Sequence, residues 1–142
     1  MTAVAFLRFQ EEKVDLAILE TGLGGRLDST NVVNPQLSVI TTVSKDHCAL
    51  LGNEIEAIAG EKAGIVKKGK PVLTGWLKPE ANRVVERIAR RQGSPFCSLA
   101  SWNESHEPLP HSNLKGAYQR RNAALAIRAT EILKEKFPVD CV

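Results

Sequence analysis

Short apolar runs alternate along the chain with stretches in which apolar residues recur every three or four positions. Such runs, bounded by polar or glycine-rich segments, are typical of buried strands. They lie at residues 14–19, 37–43, 71–74 and 94–99. Because strands that alternate with helices form parallel sheets, the pattern predicts a three-layer α/β fold, a mostly parallel sheet with helices on both faces.

Three stretches have the spacing of amphipathic helices. They cover residues 54–66, 79–91 and about 118–136. We expect Asn53 to cap the first of them, with Glu56 three residues on, and Pro79 to lie in the first turn of the second. The inner stripe predicted for the last helix is Ala123, Ala124, Ile127, Ile132 and Leu133. Residues 102–114 have no periodicity, which predicts a surface loop.

The composition is that of one globular domain. With 142 residues, 43% hydrophobic and 25% charged, the chain can form a core but has no apolar run of membrane-spanning length. Its three cysteines are widely spaced, which indicates neither a disulfide framework nor a C-x-x-C zinc site. The first ten residues show no signal peptide, so we expect a cytoplasmic protein without a membrane partner. The net charge is only +3 and no aromatic residues interleave with the basic ones, which argues against a nucleic-acid partner.

Two glycine-containing segments approach phosphate-binding motifs without completing them. Residues 22–27 follow a predicted strand, but Leu27 stands where a dinucleotide fingerprint requires glycine. Residues 64–71 begin like a P-loop and then have Pro71 where a hydroxyl must bind magnesium. This second segment also follows a helix instead of a strand. We therefore interpret neither segment as a phosphate cradle.

Ionisable side chains follow the first two predicted strands. Glu20 comes directly after one strand, and Asp46 and His47 come after the next. Glu61 and Lys62 lie on the helix that follows. Ligands of open α/β sheets gather beyond the carboxyl ends of the strands, where a carboxylate and an imidazole could share a divalent ion. Spacing alone leaves two hypotheses, a metal site or ordinary loop and helix residues.

Four ordered segments resemble the conserved blocks of one enzyme family. Residues 20–31, Glu-Thr-Gly-Leu-Gly-Gly-Arg-Leu-Asp-Ser-Thr-Asn, resemble the signature of folylpolyglutamate and dihydrofolate synthases, within the Mur ligase superfamily. The pair Asp46-His47 and residues 51–65 resemble the next two blocks, in the same order and spacing. Residues 116–126 resemble a fourth block, which helps to hold the nucleotide.

The resemblance implies a magnesium site. It makes Glu20 and His47 metal ligands, and it makes Lys62 a lysine that reacts with carbon dioxide to form a carbamate. It gives catalytic roles to Lys62 and His47. A carbamate replaces a cation by an anion that can bind magnesium beside the ATP phosphates. The alternatives are a loop carboxylate, a loop histidine, and a helix lysine paired with a carboxylate.

The resemblance also implies two regions that contact substrates. The residues implied to bind folate or pteroate are Arg26, Asp28, Ser29 and Asn31. The residues implied to bind ATP are Gln119 and Asn122. The alternative is that the glycines permit a tight turn, that Asp28 and Asn31 cap a helix, and that the last pair is an ordinary polar helix start.

The implied activity is an ATP-dependent ligation that requires magnesium. A folate or dihydropteroate carboxylate attacks the γ-phosphate, and the amine of glutamate then attacks the acyl phosphate. The chain would be the second half of the central ATPase domain, without the P-loop segment and the glutamate-binding C-terminal domain, so we expect it to be inactive alone. A Mur-type cell-wall peptide ligase and a non-catalytic interaction module are the alternatives. The four blocks are compatible with dihydrofolate synthesis, with polyglutamate synthesis and with an enzyme that performs both.

Overall fold

A parallel sheet lies at the centre of the computed structural model, which describes residues 1–44, 54–102, 109–111, 113–116 and 118–137. Its strands are β1 (Ser38–Ile40), β2 (Val72–Thr74) and β3 (Phe96–Ser98), in the order β1-β2-β3. The first residues of the three strands are directly opposite each other, and all pairs are parallel. The predicted α/β fold is therefore confirmed.

Helices account for most of the remaining regular structure. In the described part of the chain they are α1 (Thr2–Glu11), a 3-10 helix (Ser29–Val32), α2 (Ile55–Ala63), α3 (Pro79–Arg91) and α4 (Tyr118–Leu133). The bounds of α3 are those predicted, with proline at its start, where the missing N–H breaks no hydrogen bond. The helices α2 and α4 end at Ala63 and Leu133, before the predicted residues 66 and 136. None of the described helices has the length and apolar character needed to cross a membrane.

The helices cover both faces of the sheet. Val72 and Leu73 are adjacent in β2 and therefore point to opposite faces. On one face, Val72 is wholly buried in a cluster with residues of α2 and α3, among them Ile58 and Val85. On the other face, Leu73 packs with Leu125 of α4. All three residues of β2 are buried, as expected for the central strand of a parallel sheet.

The strand predicted at residues 14–19 is not formed. This segment has no strand assignment, and the side chains of Val14, Leu16 and Ile18 are 44%, 56% and 90% exposed. A strand is stable only when its backbone pairs with a neighbour and its side chains are covered. Because none of the strands in the described ranges pairs with this run, its apolar pattern alone does not produce a strand.

Details of the helices also differ from the predictions. The cap predicted at Asn53 lies outside the described residues, and Glu54 holds the N-cap position of α2 without a side-chain hydrogen bond. In α4, Ile127 is 49% exposed whereas Leu125 is buried, because two positions correspond to a rotation of about 200° around the helix. The helix α1 was not predicted, and none of its residues is fully buried. The predicted surface loop at residues 102–114 begins with a half-buried tryptophan.

Candidate functional site

The Gly-rich loop, defined here as residues 20–31, is folded around the carboxylate of Asp28. Its Oδ2 accepts hydrogen bonds from the backbone N–H groups of Gly22 (2.8 Å) and Leu23 (3.3 Å). Its Oδ1 accepts from the N–H (2.9 Å) and the hydroxyl (2.6 Å) of Thr30, so Asp28 also caps the 3-10 helix. These hydrogen bonds, those from Thr30 above all, lower the pKa of Asp28 to about 2. The amides of Gly22, Leu23 and Thr30 are thus occupied by the chain's own carboxylate, which agrees with the interpretation that this segment is no phosphate cradle.

Two glycines allow the Gly-rich loop to approach the last turn of α2 closely. A Cβ on Gly25 would lie 2.7 Å from the carbonyl oxygen of Lys62. A Cβ on Gly64 would collide with the Cα and Cβ atoms of Arg26. In both cases the added Cβ would meet backbone atoms or the Cβ of a neighbouring residue, and these atoms cannot move aside by a side-chain rotation. The loop and α2 can therefore meet at this distance only with glycine at these two positions.

Arg26 joins the Gly-rich loop to α2 through its backbone and its side chain. Its N–H donates to the carbonyl oxygen of Glu61 (2.9 Å), and its Nε donates to the Glu61 carboxylate, 3.1 Å from both oxygens. The side-chain amide of Asn31 donates to the carbonyl oxygens of Arg26 (3.0 Å) and Gly64 (3.1 Å). We call this set of interactions the loop–α2 contact. It fixes the loop beside Lys62, the residue that follows Glu61 in α2.

An open cleft with a volume of about 400 Å³ lies on the Gly-rich loop. It is lined by residues 23–29 and by Glu61. The Arg26 side chain is 56% exposed, and the hydroxyl of Ser29 is 2.7 Å from that of Thr2 in α1. Three of the four residues predicted to bind folate therefore line one cleft. The fourth, Asn31, is hydrogen-bonded to the backbone of the loop and of α2.

The residues predicted to bind magnesium lie partly outside the described chain. Glu20 is exposed at the start of the Gly-rich loop, and Lys62 is half-buried on α2. His47 lies outside the described residues. Among the residues that the structure describes, no group of three or more His, Cys, Asp or Glu side chains is placed to hold a metal ion. The convergence of Glu20, His47 and Lys62 stays a prediction.

The residues predicted to bind ATP lie together at the start of α4. The side-chain amide of Asn122 donates to Oε1 of Gln119 (3.2 Å), within the first two turns of the helix. The backbone N–H of Gln119 donates to the carbonyl oxygen of Gly116 (3.0 Å). Gly116 has a φ of +109°, which only glycine adopts without strain, and a Cβ there would lie 2.6 Å from the Tyr118 ring. The turn that leads into α4 therefore depends on a glycine.

The direction of α4 places these amides at the carboxyl edge of the sheet. The guanidinium of Arg121, near the start of α4, lies over Trp76, two residues after the end of β2. At the other end, Nζ of Lys136 donates to Oε1 of Gln36 (2.6 Å), two residues before β1 begins. The helix is thus antiparallel to the strands. Its first turn lies at the edge where ligands of open α/β sheets usually bind.

Two pairings that organise these regions leave no signal in the local sequence. Arg26 and Glu61 are 35 positions apart, so no helical or strand spacing relates them. Trp76 and Trp102 form an aromatic pair with ring centroids 6.2 Å apart, although Trp102 begins the predicted surface loop. Of these four residues, only Glu61 could be connected with the site from the sequence, because it directly precedes Lys62 in the third family block. Pairing of this kind becomes visible only when the fold brings the elements together.

The sequence of the chain is similar to those of known ligases. The chain is 48% identical to the dihydrofolate synthase/folylpolyglutamate synthase of Bacillus subtilis (strain 168), over 96% of its own length and 36% of that protein. It is 39% identical to the folylpolyglutamate synthase of Lacticaseibacillus casei, over 93% of its own length and 35% of that protein. The chain is homologous to the folylpolyglutamate and dihydrofolate synthases. No family model matches it.

Solved structures of folylpolyglutamate synthases have the same fold. A mutant of the L. casei synthase matches with a TM-score of 0.86 and 36% identity, over 98% of the chain and 39% of that protein. A synthase complex with AMPPCP and folate matches with a TM-score of 0.83 and 35% identity, over 98% of the chain and 39% of that protein. The chain therefore spans little more than a third of the length of the synthases it matches.

Proposed function

We propose that this chain is part of an ATP-dependent ligase that adds L-glutamate to a folate or pteroate carboxylate through an acyl phosphate. The observation that carries the proposal is the loop–α2 contact, which fixes the cleft of the Gly-rich loop beside Lys62. Homology to the synthases over 96% of the chain supports it. A synthase of the same fold forms a complex with AMPPCP and folate, which supports the same substrates here.

Glu20, His47 and Lys62 are the proposed magnesium ligands. The donor chemistry fits, because Glu20 has an exposed carboxylate and oxygen is the donor that magnesium prefers. The ammonium of Lys62 would repel a cation, whereas its carbamate would offer oxygen donors. Magnesium at this site would neutralise the charge that develops on the transferred phosphoryl group.

The cleft on the Gly-rich loop is the proposed folate or pteroate pocket. Arg26 binds Glu61 through Nε, which leaves its two terminal nitrogens to donate to a substrate carboxylate. Ser29 adds a hydroxyl on the same cleft. Asp28 and Asn31 act on the substrate indirectly, because their side chains already bind the loop backbone and give it its shape. The pocket thus has a cationic group held in place by α2.

Gln119 and Asn122 are the proposed contacts to the adenine of ATP. A side-chain amide both donates and accepts, and this pair of groups matches the donor and acceptor along one edge of adenine. Their position at the carboxyl edge of the sheet supports the assignment. Within this frame, Arg26 orients the carboxylate for attack on the γ-phosphate, with ADP as leaving group. The glutamate amine then attacks the acyl carbon, phosphate leaves, and positioning supplies most of the rate.

We further propose that the chain is the second half of the central ATPase domain of a longer, cytoplasmic enzyme. The P-loop segment and the glutamate-binding domain would then come from the rest of that enzyme. The 36% coverage of the B. subtilis synthase supports this division. The partners would be small molecules alone, namely ATP, glutamate and the folate or dihydropteroate substrate. On this proposal the isolated chain has no ligase activity.

The proposal is tested by substitution of Lys62 in the longer synthase. Lys62→Gln removes the group that forms the carbamate, and we expect kcat for folate- and glutamate-dependent ADP release to fall about 100-fold or more. Lys68→Gln, at an exposed lysine six positions on, serves as the matched control and should change kcat less than about twofold. Unchanged activity of Lys62→Gln would contradict the role of Lys62. ADP release that depends on a UDP-sugar peptide instead of folate would favour a Mur-type peptide ligase.

A further inference from the structure

Two tryptophans, the only two in the chain, lie together at the carboxyl edge of the sheet. Trp76 follows β2 and Trp102 follows β3. Their ring planes are inclined at 59° with centroids 6.2 Å apart, a tilted geometry that aromatic pairs favour. Both side chains are half-buried, and both pack against the apolar cluster under α4. We call this pair, Trp76 and Trp102, the aromatic platform.

Arg121 lies on this platform. Its guanidinium carbon is 5.3 Å from the centroid of the Trp76 ring, within the range of about 6 Å over which a cation is attracted to an aromatic face. The neighbouring Arg120 points elsewhere, donating to the carbonyl oxygens of Leu109 (2.9 Å) and Pro110 (3.4 Å). Two consecutive arginines thus hold the start of α4 from two directions, one through the sheet edge and one through the preceding loop.

The start of α4 needs such support if it is to bind a ligand. The first N–H groups of a helix have no partner inside the helix, and helix ends open more easily than helix centres. Gln119 and Asn122 lie in this region on either side of Arg121. Side-chain amides recognise a base only when they are held within about 0.5 Å of the productive position. An interaction that fixes this turn therefore affects binding without touching the ligand.

We propose that Arg121, packed on Trp76, is a positioning residue for nucleotide binding. It fixes the first turns of α4 against the sheet, so that the amides of Gln119 and Asn122 are presented at the carboxyl edge in one arrangement. The proposal rests on the proposed function, because it takes these two amides as the contacts to ATP. The new claim is that the contact between Arg121 and Trp76 raises the affinity for ATP.

The test compares substitutions on both sides of this contact in the longer synthase. We expect Arg121→Gln and Trp76→Leu each to raise KM for ATP about threefold to fivefold, the factor that corresponds to an exposed cation–aromatic contact. The kcat and KM for glutamate should stay close to those of the unaltered enzyme in both variants, and the Tm of Arg121→Gln should stay close as well, because Arg121 is exposed. Trp76→Leu should lower the Tm, because Trp76 also packs on Trp102 and in the apolar cluster under α4. Arg121→Lys and Trp76→Phe keep a cation and an aromatic face, so they should restore most of the affinity. Arg87→Gln, at an exposed arginine of α3, is the matched control and should leave KM for ATP unchanged.

A double substitution separates positioning from direct contact with ATP. If Arg121 acts through Trp76, the Arg121→Gln/Trp76→Leu enzyme should have the KM of either single variant, because both remove the same interaction. Additive effects, or an effect of Arg121→Gln without one of Trp76→Leu, would overturn the proposal. So would a fall of both kcat and Tm in Arg121→Gln, which would indicate a general structural role. An unaltered enzyme that neither binds nor uses ATP would overturn the proposed function, and this inference with it.

Discussion

At the scale of single residues, Asp28 determines what the Gly-rich loop can do. Successive backbone N–H groups in a glycine-rich turn form a concave site that attracts anions. In this chain the anion is part of the loop itself, because Asp28 accepts hydrogen bonds from Gly22, Leu23 and Thr30. The glycines then serve a different purpose, which Gly25 shows by its close approach to α2. The loop is therefore a shaped wall for a cleft and not a phosphate cradle.

The role of Asp28 predicts a defined dependence of stability on pH. Asp28→Ala should lower the free energy of unfolding by about 1 to 2 kcal/mol at neutral pH, the usual cost of losing a cap. Because the pKa of Asp28 is lowered in the folded state from 3.8 to about 2, its contribution is complete above pH 4 and is lost as the pH falls from about 4 to 2. Urea unfolding of both proteins across this range measures the difference. A difference that stays constant down to pH 2, or an equal effect of Asp15→Ala at an exposed aspartate, would contradict this account.

The residue-level site could be predicted only where its chemistry is local. A capping role for Asp28 follows from the sequence, because aspartate just before a polar helical turn is a common cap, and the structure shows this cap. The pairing of Arg26 with Glu61 does not follow, since 35 positions separate them and only the folded chain brings them together. The same holds for Arg121 and Trp76, which lie on α4 and after β2.

At the scale of elements, the loop–α2 contact depends on which glycines face the loop. Gly60 and Gly64 lie one turn apart at the end of α2, and neither has a left-handed φ. A Cβ on Gly64 would collide with Arg26, whereas a Cβ on Gly60 would meet nothing within 4 Å. Alanine at Gly60 therefore tests the effect of helix propensity alone, whereas alanine at Gly64 also tests the close packing of the loop on α2.

We expect the two glycines to respond to alanine with opposite signs. Gly64→Ala should reduce the free energy of unfolding by about 1 to 3 kcal/mol, because the loop must move away from α2. Gly60→Ala should increase it by about 0.5 to 1 kcal/mol, because alanine loses less backbone entropy in a helix. Thermal unfolding followed by circular dichroism compares them. A Gly64→Ala protein as stable as the unaltered one, or more stable, would show that the loop does not rest on α2 in solution.

Elements could be predicted from the sequence when their own pattern is sufficient. The helix α3 begins and ends where predicted because proline at its start, apolar spacing and the basic last turn all agree. The run at residues 14–19 has the pattern of a strand but forms none, because strand formation also needs a neighbour. The strands β1, β2 and β3 could be predicted from the sequence, because each of them has a partner strand within the chain.

At the scale of the whole molecule, the exposed apolar run is the feature that a single folded unit does not explain. Val14, Leu16 and Ile18 are 44%, 56% and 90% exposed within one short segment. Contiguous exposed apolar side chains usually mark a surface that contacts other protein. The proposed division of a larger domain supplies that protein, because the chain spans 36% of the B. subtilis synthase.

This interpretation predicts that Ile18 matters in the longer synthase alone. Ile18→Thr should change the free energy of unfolding of the isolated chain by less than about 0.5 kcal/mol, since the side chain is exposed there. In the longer synthase we expect a loss of about 1 to 3 kcal/mol, because the side chain would be buried. Val4→Thr, at a 65% exposed position of α1, is the control. Equal losses in both proteins would show that Ile18 is not covered by the rest of the enzyme.

The measurement that tests the central claim most directly is the position of the metal ion in the longer synthase. Crystals grown with Mn²⁺ in place of magnesium and with a non-hydrolysable ATP analogue would locate the ion by its anomalous scattering. We predict one ion bound by the carboxylate of Glu20 and the imidazole of His47 at roughly 2.1 to 2.3 Å, with a carbamate on Lys62 facing it. An ion held by other residues, with Glu20 and Lys62 directed away from it, would contradict the account.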